Sequence, residues 1–141
     1  MKTFKIALTL ICFLFGVANA ATTSQTLCFA SQKNSRVELV LRKYVDEDLQ
    51  KEVGAFAKYS TGKSIIPLVF TSDSTTDDSV DYELHWLEIY NEKITGKYRL
   101  LKPKKATILG AYVKYKNLRT GKEIVFTPTA KSENECSEML K

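Results

Sequence analysis

A small all-β domain, an antiparallel sandwich or barrel of seven to eight strands with little helix and one disulfide, is what this sequence predicts. Short runs of alternating apolar and polar residues recur from Ser24 to Thr127, which is the period of half-buried strands. Turn-forming clusters separate them, at Gln32 to Ser35, Ser60 to Lys63, Lys102 to Lys105 and Arg119 to Lys122. Only Val45 to Glu52 and the last residues around Cys136 suit a helical turn, and both are too short to define a fold.

Residues 1–20 read as a secretory signal and are set aside from the fold. Lys2 and Lys5 supply a basic start, Ile6 to Val17 an apolar run of twelve residues, and Ala18-Asn19-Ala20 a small-residue cleavage site. A membrane-spanning helix needs about 20 apolar residues, so the run is expected to be cleaved after Ala20 rather than to anchor the chain. No cysteine stands directly after the cut, where a lipoprotein would need one. The expected product is a single domain, residues 21–141, secreted or periplasmic and long enough to bury a real core. Losing Lys2 and Lys5 takes 21 bases to 19 against 16 acids, a mature charge of about +3. So mild a balance gives no reason to expect nucleic acid as a partner.

The mature chain keeps Cys28 near its start and Cys136 near its end. In an oxidising compartment two cysteines admit one pairing, and closing a loop of about a hundred residues is worth roughly 4–5 kcal/mol on the chain-entropy account. The bond would staple the C-terminal tail to the first strand. Without companion histidines the pair makes a poor metal site, and no metal or cofactor is expected.

Taken in order, Ser24 to Ser31 and Arg36 to Tyr44 form a first hairpin, with Val37, Leu39 and Leu41 alternating against Arg36, Glu38 and Arg42. Val53 to Tyr59 places Val53, Ala55, Ala57 and Tyr59 on one face. Ile65 to Phe70 is a strand at an edge or bulge, because Pro67 has no N–H for a ladder. Thr71 to Ser79 is a polar loop. Its Asp73, Asp77 and Asp78 lack the spacing, central Gly and terminal Glu of a calcium loop.

Val80 to Tyr90 is the longest strand. Val80, Tyr82, Leu84 and Trp86 share one parity while Leu87 and Ile89 take the other, so either a bulge near Trp86 or Leu87 returns both sets to the core or both faces of the strand are partly covered. Ile94 to Leu101 turns Tyr98 and Leu100 inward. Thr107 to Leu118 puts Leu109, Ala111, Val113 and Tyr115 opposite Ile108, Gly110, Tyr112, Lys114 and Lys116, and Glu123 to Thr127 closes the sheet.

Charge is sorted along this second half. Seven acids and no base lie between Thr71 and Glu92; ten bases and no acid lie between Lys93 and Lys122. If Val80 to Tyr90 pairs with Ile94 to Leu101, acids on one strand face bases on the next at about 0.2–1 kcal/mol per pair, which sets register and no more. Lys102, Lys104 and Lys105 in a turn, with Tyr112, Lys114 and Lys116 on the following strand, lie beyond that neutralisation. They form the expected binding patch, suited to an acidic protein, an anionic glycan or an anionic lipid head group.

Catalytic chemistry is sparse. The single histidine, His85, shares its parity with Asp81 and Glu83, but no strained nucleophile elbow accompanies it. The aromatic residues Tyr82, Trp86, Tyr90 and Tyr98 suit a β core. The expectation is therefore a non-enzymatic binding protein, in the size class of bacterial periplasmic inhibitors and immunity proteins though without a loop motif of theirs. The alternatives are a barrel carrier of a small apolar ligand and, after that, a hydrolase.

Overall fold

The computed structural model describes residues 21–74, 80–104 and 110–141. Residues 1–20, Asp77, Asp78, Lys105 and the first residues of the strand expected from Thr107 lie outside the described residues. Eight strands run up and down in chain order and close on themselves: β1 Thr22–Ser31, β2 Glu38–Asp46, β3 Lys51–Tyr59, β4 Ile66–Ser74, β5 Val80–Tyr90, β6 Lys93–Pro103, β7 Tyr112–Asn117 and β8 Glu123–Pro128. Every neighbouring pair is antiparallel and β8 returns to β1. The fold is a closed barrel rather than a sandwich, with a short helix, α1 Glu133–Glu138, outside it.

Period-two alternation fills the interior. Phe29, Leu39, Leu41, Ala57, Trp86, Tyr98, Leu100, Val113 and Phe126 are all at or below 1% exposure, and Leu27, Tyr59, Phe70, Tyr82, Leu84 and Tyr115 pack against them. The opposite parity of β1 and β2 builds a second, smaller cluster outside the barrel, where Cys28 and Val40 meet Cys136, Met139 and Leu140 of the tail. The Cys28–Cys136 disulfide holds it, with Cα atoms 5.6 Å apart. Ser132 caps α1 in a reciprocal capping box with Glu135.

Four expectations are corrected. Val45 to Glu52 forms no helix: β2 runs on to Asp46, whose Oδ1 accepts from the backbone N–H of Asp48 and Leu49 and so shapes a tight hairpin turn instead. A bulge between Tyr44 and Val45 shifts the β2–β3 register there, so Val53 faces solvent at 57% exposure while Glu52 hydrogen-bonds the buried Trp86. The bulges of β5 fall at Val80/Tyr82 and Glu88/Ile89. Trp86 therefore stays inside, and Leu87 and Ile89 are not returned to the core. β4 also continues through Ser74, four residues into the expected polar loop.

Candidate functional site

Three groups of side chains on this barrel have chemistry to offer: a buried carboxylate cluster, an open cavity between β3 and β4, and an outward basic face.

The buried cluster lies inside, toward the β5–β6 turn. Glu88 accepts hydrogen bonds from Thr95 Oγ1 at 2.6 Å and Tyr98 OH at 3.0 Å, with Tyr115 OH at 3.5 Å. Tyr59 OH lies 2.6 Å from Tyr98 OH. Tyr98 spends its single proton on Glu88, so Tyr59 is the donor between them. Burial, first of all, raises the phenol pKa values of Tyr59, Tyr98 and Tyr115, and the nearby Glu88 charge adds to it. With each partner satisfied, the cluster specifies the packing of the core.

The cavity opens between β3 and β4 and measures about 530 Å³. Lys43, Val45, Gln50, Lys51 and Glu52 line one side; Phe70, Thr71, Ser72, Asp73, Tyr82 and Leu84 line the other. Trp86 Nε1 donates to Glu52 Oε1 at 2.6 Å. Burial pushes the Glu52 carboxyl up to about 7, against the opposing pull of Lys43 and of the indole N–H.

The basic face is set by register. On the outer surface His85, Arg99, Lys114 and Val125 lie side by side across β5 to β8, and Leu87, Lys97, Lys116 and Glu123 form the next row. Lys97, Arg99, Lys114 and Lys116 thus share two adjacent strands. Arg99 Nε is bonded to Glu83, a carboxylate with no exposed side-chain surface. That hydrogen bond first, with the charge attraction after it, holds the Glu83 carboxyl below the usual carboxylate range and the Arg99 guanidinium above its own. The second oxygen of Glu83 has no partner among the described residues.

The expected patch is therefore divided. Lys114 and Lys116 lie on the outer face as expected, with Lys114 Nζ 5.7 Å from the centre of the half-buried Tyr112 ring and Lys116 Nζ 3.8 Å from Glu123. Lys102 shares parity with Tyr98 and Leu100, so it belongs to the interior-facing set. At the strand end its Nζ stands 5.8 Å from the centre of the Tyr82 ring and 3.9 Å from Asp81. Lys104 is exposed in the bend after β6, and Lys105 falls outside the described residues. Lys97 and Arg99, absent from the patch read in sequence, were legible as the parity opposite Tyr98 and Leu100. Glu52 was hidden because its segment reads as a helical turn.

The supposed hairpin neutralisation is partial. Glu83–Arg99 and Asp81–Lys102 are the ion pairs between β5 and β6 among the described residues, while Glu88 turns inward. His85 presents the same nitrogen, Nε2, to Glu83 at 2.9 Å and to Ser74 at 3.3 Å. An acid–base–nucleophile relay needs the two ring nitrogens to serve different partners. Among the described residues there is no cluster of three or more His, Cys, Asp or Glu placed to hold a metal ion, and no helix long and apolar enough to cross a membrane.

Fold and surface together define a disulfide-stapled, eight-stranded antiparallel barrel with a basic outer face. No protein family, no characterised protein and no solved structure matches the chain.

Proposed function

We propose that this protein is an exported, non-enzymatic binding protein, working in the manner of an inhibitor or immunity protein, that holds an acidic macromolecule against the outer face of β6 and β7. The observation that carries this reading is the alignment of Lys97, Arg99, Lys114 and Lys116 on two neighbouring strands. Among the described residues, only Glu83 and Glu123 pair with them there. The sheet register sets the spacing of these bases, and a surface of one sign raises the encounter rate with an opposite one. An acidic protein surface or an anionic glycan offers the opposite charge to this array. The side-by-side demands on His85 Nε2 favour a binding role over a hydrolytic one. The core around Trp86, Tyr98, Phe29 and Phe126, all at 1% exposure or less, is packed, and the open cavity beside it carries Lys43, Lys51, Glu52 and Asp73 in its lining, which weighs against an apolar carrier. The signal segment and the disulfide suit an oxidising compartment, and N-terminal sequencing of exported protein should begin at Ala21.

The test uses the exposed neighbours Lys97 and Lys116, leaving the Arg99–Glu83 contact intact. Binding to polyglutamate and to a sulfated glycan is compared for the parent and K97E/K116E at low and high salt. The double variant is expected to lose about tenfold or more in affinity at low salt, and parental binding to fall as salt rises. Equal binding by both proteins would sink the reading.

A further inference from the structure

Two seams of this barrel are short. β1 and β8 share three residue pairs, Phe29–Ser31 against Phe126–Pro128, and β3 and β4 share three, Ala55–Ala57 against Ile66–Leu68. The chain covers the first itself. Thr26 N–H, on the part of β1 that β8 does not reach, donates to Glu133 Oε1 at 2.8 Å, Thr129 N–H donates to Cys28 O at 3.0 Å, and the disulfide clamps α1 over the opening.

The second seam has no such cover among the described residues. Beyond Ala55 and Leu68 the strands part. Lys51–Gly54 of β3 stays paired to β2, and Val69–Ser74 of β4 stays paired to β5, but neither pairs with the other. Register shifts lie on both sides of the gap, at Tyr44/Val45 and at Phe70/Ser72, and bulges bend strands away from their neighbours. Two strand edges thus face each other with no ladder between them among the described residues. The 530 Å³ cavity lies beneath them. At the outer lips stand Val53 and Val69, at 57% and 51% exposure.

We propose that this seam is a strand-addition site, in which an extended segment of a partner polypeptide pairs with the free edge of β4 over Val69–Ser74. A small molecule could fill the cavity, but only another backbone supplies alternating donors and acceptors to a strand edge. Antiparallel or parallel, an added strand sends every second side chain inward. There it meets Val45, Phe70, Tyr82 and Leu84, beside Lys43, Lys51, Glu52 and Asp73, so the segment carries apolar residues at the inward positions that face the first four. Its outward positions lie beside Val53 and Val69. The site is separate from the basic face, since β5 stands between β4 and β6 in the barrel order.

The probes are capped synthetic peptides of about eight residues in which Thr alternates with Val, Phe, Lys or Glu. Binding is read by hydrogen exchange of the Val69–Ser74 amides and by the emission of Trp86, the single tryptophan. The Val and Phe peptides are expected to slow exchange at these amides by about tenfold at peptide concentrations near 1 mM, and the Glu peptide to leave it unchanged. N-methylating alternate peptide nitrogens on the pairing edge should abolish the effect. No protection by either the Val or the Phe peptide would overturn the proposal, as would undiminished binding of the N-methylated forms. Protection of the same amides in the protein alone, growing with its concentration, would make a second copy the occupant and overturn it equally.

Discussion

Glu52 sits where burial works against its charge, and its behaviour with pH stems from that single fact. Its carboxyl is pushed up to about 7 by desolvation, so the folded state prefers the protonated form. Stability from this group is fully present below the ordinary carboxylate range and is lost as pH rises to about 7. Replacing it by Gln removes the loss. The stability of E52Q relative to the parent should therefore rise by about 1–2 kcal/mol between pH 4.5 and 8, a figure reduced from the full linkage value because the group is partly open to solvent. Urea unfolding at a series of pH values measures it; a constant difference would refute the assignment. Trp86, bonded to Glu52, should show an emission change centred near pH 7 that the variant lacks. Glu83 presents the opposite case, a carboxylate with no exposed side-chain surface kept ionised by Arg99. Its contribution is present at neutral pH and lost only as pH falls below the usual carboxylate range. Neither acid was distinguishable in the sequence from its neighbours, because a strand's parity tells which face a residue takes and not what waits there.

At the level of elements, parity and turn chemistry carried the strands, and the bulges carried the surprises. Leu39, Leu41, Tyr98, Leu100 and Val113 took the inward positions that alternation assigns to them. Val53 did not, since it is itself the extra residue of the bulge opposite Tyr44 and Val45, left unpaired between Glu52 and Gly54. Bulges depend on how two strands fit, so neither strand announces one alone. The β5–β6 hairpin turns through Asn91 and Glu92, with φ of 47° and 60°. Two residues with positive φ mark the type I′ loop that matches strand twist, where Asn suits the first position and Gly the second. E92G should relieve the strain on that left-handed residue and raise stability by about 0.5–1 kcal/mol, seen as a higher urea midpoint with unchanged slope. A fall in midpoint would mean that the Glu92 side chain contributes more than its backbone costs. Gly96 on the following strand has no such freedom to change, because a Cβ there would run into the Tyr115 ring that closes over Glu88.

Over the whole molecule, the disulfide joins a tail to a barrel that is already closed by its strands. Cys28 and Cys136 are 108 residues apart, and removing the bond as C28S/C136S should cost about 3–5 kcal/mol. Because the main core contains neither cysteine, the barrel's circular dichroism should survive. Hydrogen exchange at Thr26–Cys28 should quicken as α1 detaches, and unaltered exchange there would show that the helix docks without its bond. The sequence by itself determined the export signal as an expectation, the all-β class, most strand positions, the pairing of the two cysteines and the excess of bases after Lys93. These are properties of period, composition and count, which a linear chain displays. Only the tertiary structure decided between sandwich and barrel, joined Lys97 and Arg99 to Lys114 and Lys116, and set Lys102 apart above Tyr82. It alone opened the seam between β3 and β4, because closure and register are relations between strands distant in sequence, fixed when the core packs.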